Sequence, residues 1–159
     1  MSYMKLIKLL YLADRKALLE LGRPITFDRF VSMPHGPVLS RTYDLITAEP
    51  DPEEVSYWAK HISPRTPDYE VRLIAETPTD QLSPAEELVL EAIFTAFGHL
   101  GRYQVRDYTH TLPEWHDPHG GSIPISVREV LVVQGVDAED AKAIAEDLES
   151  ETFLESMVG

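Results

Sequence analysis

The sequence predicts a mainly α-helical α+β domain, a compact helical body with a small two- or three-stranded β-sheet. Most segments carry apolar residues at helical spacing, and two short segments have the patterns typical of strands. The 159 residues are 43% hydrophobic and 26% charged, a balance typical of globular domains. No internal repeat or linker divides them. We therefore expect one domain over residues 1–159, with a core at 4–134 and an acidic helical tail at 137–159.

The N-terminal part predicts a helix, a strand, a turn and a second helix. Helical apolar spacing runs from Tyr3 to Leu21, and Gly22 is a typical stop signal. Residues Phe30–Met33 are β-prone, and the four residues from Pro34 to Pro37 favour a turn because they combine glycine with two prolines. Helical spacing resumes at Leu39.

The middle of the chain predicts one short helix and one strand. Asp51 is a favourable N-cap with Pro52 at the first helical position, and Trp58 falls on the apolar face of that helix. Residues 69–76 alternate in a pattern that predicts a half-buried strand. The strand at Phe30–Met33 is its expected partner.

The C-terminal half predicts four helices. Ser83 and Glu86 match a capping box, which begins a helix that ends near Gly98. The other helices are expected over Arg102–His110, from Ser126 and from Asp137. Seven residues on the apolar faces of the predicted helices and at their starts are expected in the core: Leu10, Tyr11, Leu39, Tyr43, Leu88, Ile93 and Phe97.

The charge of the chain argues against direct binding of nucleic acid or an anionic membrane. It has 14 Lys and Arg against 27 Asp and Glu, a net charge of −13, which repels phosphate groups on average. Residues 137–159 hold eight acidic residues and one basic residue, a net charge of −7. This acidic tail indicates either attraction to a basic partner or a helix face that charge keeps solvated.

Composition also predicts where the protein resides. It has no cysteine, which fits a reducing compartment, and no segment approaches the run of about 20 apolar residues of a spanning helix. Charged residues, among them Lys8 and Asp14, interrupt the first helix, which therefore lacks the apolar centre of a secretory signal. We expect a soluble cytoplasmic protein.

The histidines are the strongest sequence signal for an enzyme. His110, His116 and His119 are near enough along the chain to suggest a small metal-dependent hydrolase as the alternative function. However, Pro113 and Pro118 break this segment, so the spacing of a helical zinc site is absent. The sequence also has no nucleophile elbow and no phosphate-binding glycine loop. We therefore predict no catalytic residue, no metal site and no cofactor.

Two segments have tightly specified geometry. Residues 33–38 read MPHGPV, in which Gly36 can adopt a positive φ and Pro37 can begin the next element. Residues 110–115 read HTLPEW and place a histidine and a tryptophan at the end of a helix. Each segment is either a folding determinant or part of a binding surface.

These segments resemble the motifs of the Panacea domain. Residues 8–14, KLLYLAD, resemble its K-L-L-Y-x-A-D helix, and residues 35–38, HGPV, followed by Tyr43 resemble its G-P-V turn and helix. Residues 82–83 look like its L-S helix start, and residues 110–115 are similar to its H-x-x-x-x-W segment. The four motifs occur in the family's order.

The resemblance implies a compact, mainly helical domain that serves as the antitoxin of a bacterial toxin–antitoxin pair. Such SocA-like domains, which also occur in phage-associated proteins, bind and neutralise a protein toxin encoded nearby. Some members also act as proteolytic adaptors that deliver the toxin to a bacterial protease. Family members usually carry more chain before the first motif, so we expect either a missing N-terminal helix or a misplaced start.

The family motifs also suggest where the partner binds. Six residues from the two tightly specified segments and the helix after the turn form the predicted partner-binding surface: His35, Gly36, Pro37, Tyr43, His110 and Trp115. The family usually has an aromatic residue where this chain has His35. The same residues are equally consistent with a purely structural role.

Overall fold

A computed structural model of the protein describes residues 1–48 and 57–158. Seven helices and three strands follow one another in these residues: α1 (Tyr3–Leu21), β1 (Phe30–Met33), β2 (Gly36–Leu39), α2 (Ser40–Thr47), α3 (Tyr57–His61), α4 (Pro84–Phe97), α5 (Arg102–His110), β3 (Ile123–Pro124), α6 (Val127–Val133) and α7 (Ala138–Val158). The predicted mainly α architecture with a small sheet is confirmed.

Helix α1 is the centre of the molecule. Helices α4 and α5 and strand β2 pack against it. Its Tyr11, Ala17 and Leu18 are fully buried, and they join Val105 of α5 and Leu131 of α6 in the main hydrophobic core. The helix is apolar over much of its circumference because it is covered on several sides.

The sheet is antiparallel, with the strand order β2-β1-β3. Strands β1 and β2 form a hairpin in which Phe30 pairs with Leu39 and Met33 with Gly36. The predicted turn is therefore shorter than expected, and helix α2 begins at Ser40. The four residues of β2 are all buried, and burial beside β1 makes them a strand where local spacing favoured turn and helix.

The predicted strand at residues 69–76 is wrong. This segment makes only two isolated bridges, from Glu70 to Ser2 and from Leu73 to Ile62, and Val71 is its one buried residue. It does not pair with β1, because both edges of β1 are occupied by β2 and β3.

The predicted short helix after residue 50 is only partly described. Its N-cap Asp51, Pro52 and Val55 lie outside the described residues, whereas α3 covers Tyr57–His61. Trp58 and Ile62 pack beside a second, smaller core cluster between α1, α2 and the hairpin.

Helix α4 confirms the capping box but corrects one core prediction. The Ser83 side chain accepts from the backbone N–H of Glu86, whose carboxylate accepts from the backbone N–H of Ser83. Ile93 is buried, but Leu88 is 65% exposed and so is not a core residue. The reason is that Val89 and Ile93 form the row that faces inward, and Leu88 lies on the adjacent row.

The other core predictions are confirmed in full or in part. Tyr11 and Leu39 are fully buried, whereas Leu10, Phe97 and Tyr43 are half-buried against the two clusters. Helices α5, α6 and α7 lie where the sequence places them. None of the helices within residues 1–48 and 57–158 has the length and apolar character needed to cross a membrane.

Candidate functional site

The tip of the β1–β2 hairpin lies over the N-terminal half of α1 and encloses a small cavity there. The cavity measures about 70 Å³, and its lining is mainly apolar. Ten residues line it: Tyr3, Met4, Ile7, Lys8, Met33, Pro34, His35, Gly36, Val38 and Tyr43. A pocket of this kind has room for part of one apolar side chain.

Gly36 allows the hairpin tip to approach the helices closely. Its φ is +107°, and a Cβ at this position would lie 2.9 Å from both Lys8 Nζ and Thr109 Oγ1 and 3.1 Å from His110 Cδ2. Any side chain would therefore be strained and would collide with α1 and α5. The predicted requirement for glycine is explained by both conformation and space.

Lys8 of α1 holds the hairpin in place through a hydrogen bond. Its ammonium group donates to the carbonyl oxygen of Pro37 at 2.8 Å, although the residue is only 2% exposed. Burial, and to a lesser extent the positive charge of Arg106, lowers the pKa of Lys8 to about 7. The hairpin is thus hydrogen-bonded to a buried amine whose pKa is close to neutral pH.

His110 and Trp115 support the hairpin from the side of α5. Their rings stack at 4.4 Å between centroids with 6° between planes, and the indole N–H donates to the carbonyl oxygen of Met33 at 2.9 Å. Burial lowers the pKa of His110, opposed by a hydrogen bond with the His35 backbone. Among the described residues, its buried Nε2 has no hydrogen-bond partner.

A buried carboxylate ties the segment after α5 to α1. Glu114 is fully buried and accepts from the Tyr11 hydroxyl at 3.0 Å and from the Arg15 guanidinium. Burial, followed by the negative charge of Glu114, raises the pKa of Tyr11. The interaction explains why the HTLPEW segment has a fixed position.

Asp14 similarly ties the loop after α1 to that helix. Its buried carboxylate accepts from the backbone N–H groups of Ile25 and Thr26 at 2.9 and 3.1 Å and from the Thr26 hydroxyl. Burial raises the pKa of Asp14, and these hydrogen bonds oppose the shift. Asp14 thereby holds the chain in place as it turns towards β1.

Sequence reasoning missed this buried polar network on α1. Lys8, Tyr11 and Asp14 follow one another at intervals of three residues, so they share one helix face, on which Arg15 and the buried Leu18 also lie. Polar residues on the buried face of an apolar helix are the signal that identifies such a network, because burial requires each of them to have a partner.

The structure gathers the six predicted site residues around one hairpin but gives them different environments. His35 is exposed and Tyr43 is half-buried, and both line the cavity. Gly36 and Pro37 are buried, whereas the stacked His110 and Trp115 are half-buried. His35 and Tyr43 are thus the accessible members, and the other four shape the hairpin.

The three histidines of the alternative metal site make separate contacts. His116 Nε2 lies 3.0 Å from Glu129 Oε1, and His119 Nδ1 lies 3.9 Å from Asp117 Oδ2, whereas His110 stacks on Trp115. The parts of the chain that the structure describes contain no group of three or more histidine or carboxylate side chains arranged to hold a metal ion. The geometry therefore gives the hydrolase alternative no support.

The chain is similar to a known protein family. The sequence model described as "Antitoxin SocA-like, Panacea domain" matches residues 6–116. The matched region begins within α1 and runs through the hairpin and α5 to the residue after Trp115, so it contains all six predicted site residues. No curated protein and no solved structure matches the chain significantly.

Proposed function

Because this chain belongs to the antitoxin SocA-like Panacea domain family, we propose that it is a non-catalytic antitoxin that neutralises a protein toxin by direct, stoichiometric binding. The toxin is encoded nearby, and a bacterial protease is a further candidate partner if the protein acts as an adaptor. The observation that carries this proposal is the family match over residues 6–116.

The toxin binds, in this proposal, at the hairpin tip. His35 is exposed and Tyr43 half-exposed at the rim of a mainly apolar cavity, an arrangement suited to an apolar anchor residue of a partner. Lys8, His110 and Trp115 hold the hairpin rigid before the partner arrives. A surface ordered in advance loses less conformational entropy when it binds.

The test begins with the adjacent reading frame. Its product, expressed alone, is expected to stop bacterial growth, and co-expression of this protein is expected to restore growth through a stable 1:1 complex. Growth restored by strongly substoichiometric amounts would contradict simple binding and would favour catalysis or adaptor turnover.

Variants then locate the binding surface. Tyr43→Ala is expected to weaken toxin binding by about 2 kcal/mol, as for a central anchor residue, and His35→Ala to weaken it less. His119→Ala, which changes an exposed histidine of the loop after α5, is the matched control. A folded Tyr43→Ala protein that neutralises at the wild-type dose would exclude the cavity rim as the interface.

Trp115→Ala needs a separate interpretation. Because Trp115 stacks on His110 and donates to Met33, its loss disturbs the hairpin even without a partner. Unfolding of this variant would assign Trp115 to the fold, whereas a stable variant with weakened binding would assign it to the interface.

A further inference from the structure

The C-terminal end of α7 has no cover within the part of the chain that the structure describes. Its last buried residue is Leu148, and residues 149–158 are all exposed. Four of these are large and apolar, namely Phe153, Leu154, Met157 and Val158, and they are between 61% and 89% exposed. Side-chain hydrogen bonds in this segment are local: the Thr152 hydroxyl donates to the carbonyl oxygen of Leu148, and the Ser156 hydroxyl donates to that of Phe153.

The four apolar residues form one continuous face. Phe153 and Met157 are one helical turn apart, as are Leu154 and Val158, and the two pairs lie side by side. Glu149 precedes Phe153 by four residues and Glu151 precedes Leu154 by three, so carboxylates border this face. The end of α7 is therefore amphipathic, with acidic edges.

Such a face is unfavourable in water without a partner. A helical segment of this length is marginal by itself, and most helical stability in proteins comes from packing an apolar face. Here burial in the main core ends with Leu148, five residues before Phe153 begins the apolar face. The segment thus presents apolar area that the described body of the protein does not use.

Charge decides which kind of partner fits. A second copy of this chain would bring together two segments that each carry a net charge of −7, and like charges oppose that pairing. A partner with basic residues beside an apolar stripe gains both burial and charge complementarity.

We propose that the face formed by Phe153, Leu154, Met157 and Val158, here called the α7 face, is a second docking surface, and that it takes an amphipathic helix with basic flanks on the partner protein. Helix pairs of this kind bury an apolar seam and use flanking charges to select the partner. The proposal rests on the proposed function only in that the partner is the toxin. The α7 face lies on a different element from the hairpin tip.

The experiment uses the full chain and a defined probe. The probe is a synthetic peptide of leucine and lysine, about three heptads long, with leucine at the seam positions and lysine on both flanks. We expect it to bind the wild-type protein in isothermal titration calorimetry. The double variant Phe153→Gln/Met157→Gln keeps the charge and is expected to bind at least about tenfold more weakly, a loss of about 1.4 kcal/mol.

Leu88→Gln is the matched control, because Leu88 is an equally exposed apolar residue on another helix. It is expected to bind the peptide as the wild type does. Circular dichroism and thermal unfolding verify that both variants fold. Equal binding by the wild type and the double variant, equal weakening in the control, or no binding to the wild type would each overturn the proposal.

The growth test stays independent of this measurement. If peptide binding does not follow the expected pattern while the adjacent gene product is still neutralised, only the α7 face is excluded as a docking surface. If neutralisation fails while the peptide binds as expected, the antitoxin function is excluded and the α7 face remains a docking surface for basic helices.

Discussion

At the scale of single residues, buried polar side chains of α1 determine where three loops lie. Lys8 donates a hydrogen bond to the hairpin, and Tyr11 donates one to Glu114. Asp14 accepts hydrogen bonds from the backbone N–H groups of Ile25 and Thr26. A buried donor or acceptor left without a partner costs about 1–3 kcal/mol, so each of these residues favours one arrangement of its loop. The first family motif is therefore a set of loop anchors.

Lys8 makes stability depend on pH in a defined direction. Its pKa is about 7 in the folded protein and about 10.4 in an unfolded chain, so between these values the unfolded state binds more protons. The contribution of Lys8 to the free energy of unfolding should therefore rise from about pH 7 to about pH 10. We expect Lys8→Met to remove this rise, as measured by urea unfolding across that range.

Comparison with Lys60→Met isolates the effect, because Lys60 is exposed. The free energy of unfolding of Lys60→Met should depend on pH as that of the wild type does. Parallel profiles for the wild type and Lys8→Met would contradict the low pKa of Lys8.

Substitution of Glu114 is expected to lower the stability of the protein. Glu114→Gln removes the buried charge that pairs with Arg15 and leaves the guanidinium without its partner carboxylate. Breaking a buried ion pair on one side typically costs about 3–5 kcal/mol. We expect a loss of about 3 kcal/mol in urea unfolding, against almost none for Glu91→Gln on the exposed side of α4. A loss below about 1 kcal/mol would show that the Tyr11 and Arg15 contacts are dispensable.

At the scale of elements, helices with local signals could be predicted and the sheet could be predicted only in part. Ser83 and Glu86 determine the start of α4 through contacts within one turn. Strand pairing depends on residues far apart in sequence, and β3 at Ile123–Pro124 gave no signal because it has only two residues. That strand pairs with β1, the strand that was expected to pair with residues 69–76.

Helix α4 offers a direct test of which apolar row faces inward. Ile93→Ala is expected to lower the free energy of unfolding by about 2–5 kcal/mol, because Ile93 is buried against α1. Leu88→Ala is expected to change it by less than about 0.5 kcal/mol, because Leu88 is 65% exposed. Thermal and urea unfolding measure both. Similar losses in the two variants would indicate that α4 is rotated relative to α1.

At the scale of the whole molecule, charge governs how partners approach. The chain carries −13, of which the segment 137–159 contributes −7. We expect the association rate with the toxin to fall as salt rises from 50 to 500 mM, measured by stopped-flow fluorescence, because screening shortens electrostatic reach to about 8 Å at physiological ionic strength. Glu149→Gln/Glu151→Gln should reduce the slope of this dependence. An association rate that does not change with salt would exclude charge steering by the tail.

Features that depend on near neighbours and on composition could be predicted from the sequence: the helices from α4 onward, the first helix, the acidic tail and the family motifs. The sequence also identified Gly36 as a conformational requirement. Three features became visible only in the folded protein: which polar residues of α1 anchor which loops, why residues 69–76 do not join the sheet, and which side of α4 is exposed. The physical reason is that caps and helical periodicity act within one or two turns, whereas burial, strand pairing and the pKa of Lys8 depend on groups brought together from distant parts of the chain.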